Sequence, residues 1–233
     1  MINATISADI IASSSLTHSE MQELSNQVDD LLIRMSEKYI TSQKTFYGRL
    51  VRGDTIECYM EDPNIALEAA LILKTFIKSF SIRDKTSGNN HNKNYHLFRN
   101  YGIRVAVGIG EMVRPDNVNT IWIGEAIALS GRKIEEQKTA NKNKAIIKNT
   151  LFFDSDNEDT AFLFTCFFGL LDKILNSATN KQSEVLFWKL YGLAELEIAH
   201  KLGISQSAVN QHSTSVGWNA VENTVKFFKQ YSF

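Results

Sequence analysis

The sequence contains little cysteine, no excess of basic residues and no long hydrophobic run. Its two cysteines, Cys58 and Cys166, lie in apolar surroundings without CxxC spacing, which predicts reduced core residues of a cytosolic protein. The formal net charge of -1 supplies no overall basic field of the kind that attracts nucleic acid. The longest apolar run, 161–171, is too short to cross a bilayer, so we expect a buried helix there and no membrane partner.

The composition is that of an ordinary globular protein, with 43% hydrophobic and 22% charged residues in a chain of 233. Hydrophobic patterns predict the following elements in order: a strand at 2–11, a helix behind a Thr17–Glu20 capping box, a hairpin turning at 52–54, a helix at 64–80, a polar loop at 85–94, a strand at 102–113 with a returning partner, a helix from about Gly124 and a short strand near 143–149. This order predicts an α+β fold built on an antiparallel sheet.

An acidic, turn-prone segment at 151–160 separates this pattern from a tail that is helical throughout. We therefore expect a sheet domain over 1–150, a connecting helical segment over 151–176 and an all-α domain over 177–233.

Two aspartates stand beside predicted strands. Asp9 ends the first strand, and Asp54 sits in the glycine turn of the hairpin. Two carboxylates from adjacent strands can hold divalent cations that clamp a triphosphate. The backbone amides that follow the first strand could cradle phosphate oxygens; they belong to Ala12, Ser13, Ser14 and Ser15. Each aspartate alone is also a common turn or cap residue, and that alternative stays open.

Four short motifs resemble, in order and spacing, the catalytic domain of class III nucleotidyl cyclases. They are SADIIASSS, RGDTI, IRVAVGIGEM and GEAIALSGR, and together they cover residues 2–138. The resemblance implies a ferredoxin-like or cyclase-like antiparallel sheet with helices. It also implies Mg²⁺ or Mn²⁺ held by Asp9 and Asp54, and a catalytic arginine at Arg132 if the protein is an enzyme.

The chain departs from the cyclase pattern at three positions. Leu50 stands where the family has its purine-selecting lysine, Ile121 replaces the partner aspartate, and Ala128 replaces the asparagine that positions the ribose. Discrimination between bases depends on buried polar groups that need partners. These apolar residues therefore argue against cyclisation of ATP or GTP.

The segment 183–228 resembles the helix-turn-helix of sigma-factor region four. Ala199 is small where two helices approach, Gly203 permits a left-handed turn, Ser205 caps the next helix, and Val209 packs back onto Ala199. In such a motif the second helix enters the DNA major groove.

The DNA-binding positions predicted from this motif are Lys201, Ser205, Gln206, Ser207, Asn210 and Gln211. Residues 177–233 hold only five lysines, no arginine and four acids, which is little charge for neutralising phosphates. We therefore expect a homodimer if DNA is bound. The alternative is a three-helix packing or dimerisation module that binds no DNA.

The stretches ADIIAS and EIAHKLGISQSAV resemble the SatD family of bacterial proteins, in which a cyclase-like domain precedes a helix-turn-helix. The resemblance runs from end to end and implies no established activity. Three hypotheses follow. The leading one is a cytoplasmic DNA-binding transcription regulator that senses a nucleotide or phosphate ligand. The others are a divergent nucleotidyl cyclase or transferase, and a non-catalytic dimerisation protein.

Overall fold

The computed structural model describes residues 2–51, 53–81, 93–113, 122–141, 147 and 149–233. Over these ranges the chain has a mixed α+β fold in which a single curled sheet is covered by helices. The predicted α+β class is confirmed.

The strands of the described residues are β1 (Ile2–Ile10), β2 (Phe46–Val51), β3 (Thr55–Met60), β4 (Ile103–Val113), β5 (Ile123–Gly124) and β6 (Leu151–Ser155). The first four lie in the order β2-β3-β1-β4, all antiparallel to their neighbours. β5 pairs antiparallel with the last residues of β4, and β6 pairs parallel with the stretch 105–109. The expectation of a wholly antiparallel sheet is therefore wrong at β6.

β6 also corrects the interpretation of 151–155 as a turn-prone start of a connecting segment. Leu151, Phe153 and Ser155 are buried in alternation, as in a strand with one covered face, while the acidic residues that suggested a turn lie between and after them. Most of the strand expected at 143–149 lies outside the described residues.

The helices of the described residues are α1 (His18–Thr41), α2 (Ala66–Ser79), α3 (Lys93–Tyr101), α4 (Glu125–Asn141), α5 (Glu158–Ser177), α6 (Asn180–Tyr191), α7 (Glu195–Leu202), α8 (Gln206–Ser215) and α9 (Trp218–Gln230). The capping box predicted for α1 is confirmed, because the Glu20 amide donates to the Thr17 side chain and the Glu20 carboxylate accepts from the Thr17 amide. α3 was not predicted: its first two residues belong to the polar loop expected at 85–94, of which the rest lies outside the described residues.

β1 is the central strand, and its two faces differ in chemistry. One face is apolar and fully buried against the core that includes α1 and α2; it consists of Ala4, Ile6, Ala8 and Ile10. The other face is polar yet also buried; it consists of Asn3, Thr5, Ser7 and Asp9. Polar groups removed from water need partners, so something must cover this second face and satisfy it.

α4 covers the polar face of β1. The Ser130 hydroxyl is hydrogen-bonded with the hydroxyls of Thr5 at 3.0 Å and Ser7 at 2.9 Å. The helix can come this close because the neighbouring strand has Gly108 beneath it, where a Cβ atom would lie 2.2 Å from the Ala126 carbonyl oxygen. The polar residues of β1 are thus structural at this point and do not face solvent.

The apolar face of the sheet and the C-terminal helices share one continuous core. Phe153 of β6 contacts the rings of Phe164 and Phe168 at centroid distances of 5.2 and 5.1 Å, and Phe164 lies 4.8 Å from Phe228 of α9. Aromatic pairs at such distances contribute beyond simple area burial. The packing therefore couples the C-terminal helices directly to the sheet.

α5 contains the apolar run 161–171, and the helix predicted there is confirmed. Only one side of it is buried, because Phe162 is 79% exposed, Leu170 is 66% exposed and Cys166 is exposed as well. The expectation of a buried helix is right for half of its surface, and the core assignment is confirmed for Cys58 but wrong for Cys166. Among the described helices, α5 alone is long and apolar enough to cross a membrane, and 33% of its most apolar window is buried within the protein.

Two buried lysines of α2 lie against the C-terminal half of α5. The Lys74 ammonium lies 3.4 Å from Asp172, whose carboxylate also accepts hydrogen bonds from the Thr150 amide and hydroxyl at 2.8 and 2.6 Å. The Lys78 ammonium donates to the carbonyls of Leu175 and Asn176. These carbonyls lie in the last turn of α5, where carbonyls lack the regular intrahelical partner, although the Leu175 carbonyl also accepts from the Ala178 amide.

The pKa of Lys78 is lowered from 10.5 to about 7, mainly by burial and also by the nearby Lys74 charge, while the Asp172 charge opposes the shift. Above pH 7 the folded protein therefore binds fewer protons than the unfolded chain, and the free energy of unfolding should rise with pH. One such group gives at most about 1.4 kcal/mol per pH unit. Urea denaturation between pH 7 and 8.5 should show this slope in the wild type and a smaller one in Lys78→Met.

The window ends at pH 8.5 because burial raises the pKa of the Cys58 thiol from its ordinary 9.0, so its ionisation in the unfolded chain has the opposite effect. Equal slopes for the wild type and Lys78→Met would contradict the prediction.

Candidate functional site

Asp9 and Asp54 lie beside each other at one end of the sheet. In the β1–β3 register Asp9 is opposite Thr55, the residue that follows Asp54. The Ile10 amide donates to the Asp54 carbonyl at 2.9 Å. Antiparallel pairing of β1 with β3 therefore brings together the backbones of the two aspartates that the sequence singled out.

The Asp9 carboxylate is part of an ion pair. Arg104 stands opposite Asp9 in the β1–β4 register, and its Nη1 donates to Asp9 Oδ2 at 2.9 Å. The two side chains are only 12% and 11% exposed. Removing both charges from water is costly and is offset only by such close pairing. The Asp54 carboxylate accepts a hydrogen bond from the Ser13 hydroxyl at 3.0 Å.

The pairing of Asp9 bears on the two-cation site, which stays a prediction. Mg²⁺ and Mn²⁺ prefer several oxygen ligands, and carboxylates supply the charge that holds them. Within the described residues, no group of three or more His, Cys, Asp or Glu side chains could hold a metal ion. The charge of Asp9 is already balanced by Arg104, so a cation at Asp9 would have to displace the guanidinium group.

The loop after β1 has the geometry of a tight turn. Ala12 has a left-handed conformation with φ 54°, which is unfavourable for a residue with a side chain, and Ser13–Ser15 form one turn of 3-10 helix. The Ser15 amide bonds to the Ala12 carbonyl at 2.8 Å, whereas no described residue accepts a hydrogen bond from the amides of Ser13 or Ser14.

Arg104 has an unused donor at the same end of the sheet. Its Nε is buried and has no hydrogen-bond partner among the described residues. The loop after β1 passes close to the start of β4, since the Ile11 amide donates to the Gly102 carbonyl at 2.9 Å. Guanidinium groups and backbone amides are the donors that bind an oxyanion such as a phosphate in proteins, and both kinds occur at this end of the sheet.

The remaining positions of the cyclase-like pattern do not converge on this end of the sheet through described contacts. Leu50 is half-buried against the apolar core, on the face opposite Asp9. Ala128 and Arg132 are exposed on α4, one turn apart. Ile121 lies outside the described residues. Leu50 is thus unable to contact a ligand held on the polar face.

Arg104 is the residue that the sequence analysis missed. It is a single charge within the apolar strand segment IRVAV, which is an unusual place for an arginine and could have drawn notice. The identity of its partner depends on the register between β1 and β4, which no sequence pattern specified. A second missed group lies on the same face of the sheet, where the Arg49 guanidinium stacks 4.3 Å from the ring centroid of Trp122 and pairs with Glu57 at 2.6 Å.

The turn between α7 and α8 has the geometry that the sequence predicted. Gly203 adopts the left-handed conformation with φ 65°, and the Ser205 hydroxyl accepts from the Ala208 amide at 3.1 Å. Ala199 and Val209 meet in a small apolar cluster of their own with Val185 and Ile198.

The first turns of α8 expose uncharged polar side chains. Every predicted position is solvent-exposed: Ser205, Gln206, Ser207, Asn210 and Gln211. Lys201 is exposed as well, and its ammonium lies 4.3 Å from the ring centroid of Trp188, which keeps the charge close to α6. Lys189 is less available, because its ammonium pairs with Glu195 at 2.6 Å.

The chain matches no protein-family model, no curated protein and no solved structure. Two surfaces of the described residues carry functional chemistry, the Asp9–Arg104 end of the sheet and the exposed side of α8.

The ion pair predicts a difference in stability between two conservative substitutions. Asp9→Asn should lower the free energy of unfolding by about 3 kcal/mol, because it leaves the Arg104 charge buried without a partner. Asp54→Asn should cost less than about 1 kcal/mol, because the half-buried amide oxygen can still accept from Ser13. Urea denaturation of both variants at pH 7 measures the difference, and equal losses would refute it.

Proposed function

We propose that the chain is a bacterial, cytoplasmic DNA-binding transcription regulator. In this proposal α7 and α8 form a helix-turn-helix, and the cyclase-like sheet domain binds a nucleotide or another phosphate ligand. The end-to-end resemblance to the SatD family supports this architecture, and the exposed polar side of α8 carries the DNA-binding part.

The side chains on α8 suit direct contact with bases. Asn and Gln can make paired hydrogen bonds to the edge of adenine in the major groove, and Ser can bond to several bases. Gln206, Asn210 and Gln211 are exposed near the beginning of the helix, the part that reaches base edges in such motifs. Val209 lies on the side of α8 that packs in the small apolar cluster with α6 and α7. Because that side is buried, these three polar residues face solvent.

The weak charge of the region has a consequence for affinity. Phosphate contacts normally dominate binding to DNA, and the C-terminal helices offer few exposed cations, among them Lys201 at the end of α7. One copy should therefore bind weakly. Two copies that engage two half-sites together gain affinity without new contacts, so we propose that the DNA-binding form is a homodimer.

Selection of binding sequences from a pool of random duplexes tests the DNA-binding proposal. An enriched sequence then allows affinities to be measured at fixed salt. Asn210→Ala and Gln211→Ala should each weaken binding about 10- to 100-fold, since a paired contact to a base contributes roughly 1–3 kcal/mol. Asn223→Ala, an exposed asparagine on α9, is the matched control and should leave the affinity unchanged.

Two results would overturn this part of the proposal. One is the absence of any enriched duplex. The other is an equal loss of affinity in Asn210→Ala and Asn223→Ala, which would mean that α8 does not face the DNA.

The ligand-binding part is supported by the unpartnered Nε of Arg104 and by the amides of Ser13 and Ser14, which lie at the same end of the sheet. These groups suit phosphate oxygens, whereas Leu50 and Ala128 provide no polar contact for a base. We therefore propose recognition of the phosphates with little selection of the base. Mg²⁺ or Mn²⁺ stays a predicted cofactor of this site, and the experiment below is carried out with and without each ion.

Thermal melts with nucleoside mono-, di- and triphosphates, each with and without Mg²⁺ or Mn²⁺, test the ligand site. A ligand at about a hundred times its Kd adds about 2.7 kcal/mol, which for a chain of this length raises Tm by roughly 5–10 °C. Arg104→Gln should abolish the shift, while Arg34→Gln, an exposed arginine on α1, should retain it.

A shift that persists in Arg104→Gln would contradict the assignment of the site. Conversion of the nucleotide during the melt, detected by chromatography, would favour the divergent nucleotidyl transferase over the sensor.

A further inference from the structure

α5 carries an exposed stripe along the side that faces away from the core. Its members are exposed without exception: Asp159, Phe162, Cys166, Leu170 and Lys173. At about 100° per residue, all five lie within roughly 80° of arc around the helix axis. Phe162 and Leu170 are 79% and 66% exposed, which is high for large apolar side chains. We call these five residues the α5 stripe.

The α5 stripe is symmetric about Cys166. An aromatic and an aliphatic residue stand four positions to either side of it, and an acid and a base stand seven positions to either side. Reversal of the helix direction therefore superimposes apolar on apolar and exchanges the acid for the base. A surface with this property is complementary to itself across a two-fold axis.

We propose that the α5 stripe is the homodimer interface, in which two copies of α5 pack antiparallel about a two-fold axis at Cys166. Phe162 then packs on Leu170 of the partner subunit, and Asp159 pairs with Lys173 of the partner subunit. Gly169, at the edge of the stripe, has no atom within 4 Å of a would-be Cβ and allows the helices to approach closely. This inference does not depend on DNA or nucleotide binding.

The charges at the two ends of the α5 stripe determine how the two helices are oriented and which partner covers the stripe. A parallel arrangement would set Asp159 against the same residue of the partner, and likewise Lys173, which is unfavourable. A lipid bilayer would have to bury both charged residues of the stripe, Asp159 and Lys173, and would offer neither of them an ion-pair partner. The opposite side of α5 is buried in the core, including Phe164 and Phe168, so the helix cannot leave the protein to span a membrane. A second copy of the chain is the partner that satisfies the whole stripe.

The mass in solution gives the first test. Light scattering of the full chain should give twice the mass of the 26.3 kDa chain. Phe162→Glu should give the monomer mass, because it places two carboxylates, one from each copy, in apolar contacts that otherwise hold no charge. Ile40→Glu on α1, where the side chain is 65% exposed, is the matched control and should remain a dimer. A monomeric wild type, or a dimer that Phe162→Glu does not affect, overturns the proposal.

Charge reversal tests the orientation. Lys173→Glu should raise the dimer Kd about tenfold, because two ion pairs become two repulsions. The double variant Asp159→Lys with Lys173→Glu should restore the Kd to near the wild-type value, since the pairs are re-formed with exchanged signs. Failure of the double variant to recover overturns the antiparallel register. Thermal melts of each variant show that the fold is retained.

The natural cysteines provide a proximity test that needs no engineering. Cys58 is fully buried and Cys166 is exposed, so a short bismaleimide should link two chains through Cys166 alone. Cys166→Ser should abolish the covalent dimer. A dimer in solution that the reagent does not link overturns the placement of the axis. Co-sedimentation of monomeric protein with phosphatidylcholine–phosphatidylglycerol vesicles would instead identify a membrane as the occupant and overturn the proposal.

Discussion

The burial of β1 on both faces is the constraint on which the rest of the structure depends. When a strand is buried on both faces, its apolar side chains need apolar neighbours and its polar side chains need hydrogen-bond partners. The apolar face is met by the core under α1 and α2, and the polar face is met by the Ser130 hydroxyl at the closest approach of α4. Gly108 makes that approach possible, so a single missing side chain decides how far the polar face is closed.

Asp9 lies at the end of β1, beyond the part of the polar face that Ser130 satisfies. Its carboxylate therefore needs another partner, and Arg104 on the neighbouring strand supplies it. The ion pair leaves one buried guanidinium nitrogen, Nε, without a hydrogen-bond partner among the described residues. In the proposed function this nitrogen donates to a phosphate oxygen, whereas a metal ion at Asp9 would have to displace the guanidinium group.

α5 links the sheet to the C-terminal helices and presents two surfaces with different tasks. Phe164 and Phe168 anchor it in the shared core, while Asp172 closes the buried polar cluster with Lys74. The outer side carries the α5 stripe. In the proposed dimer, α7 and α8, the proposed DNA-binding helices, would be fixed relative to the two-fold axis through this same core. A ligand bound at the sheet end would act on them through contiguous packing.

The sequence by itself determined the local structure of this protein. The Thr17 cap, the β2–β3 hairpin and the Gly203–Ser205 turn depend on interactions within a few residues, and each is present as predicted. Tertiary structure alone decided the rest. β6 joins the sheet through β4, about 45 residues away in the chain, and Arg104 meets Asp9 across a strand register that no local pattern encodes. Which half of α5 is buried was likewise decided by the aromatic residues of distant elements, because burial depends on what packs against a helix and not on its own hydrophobicity.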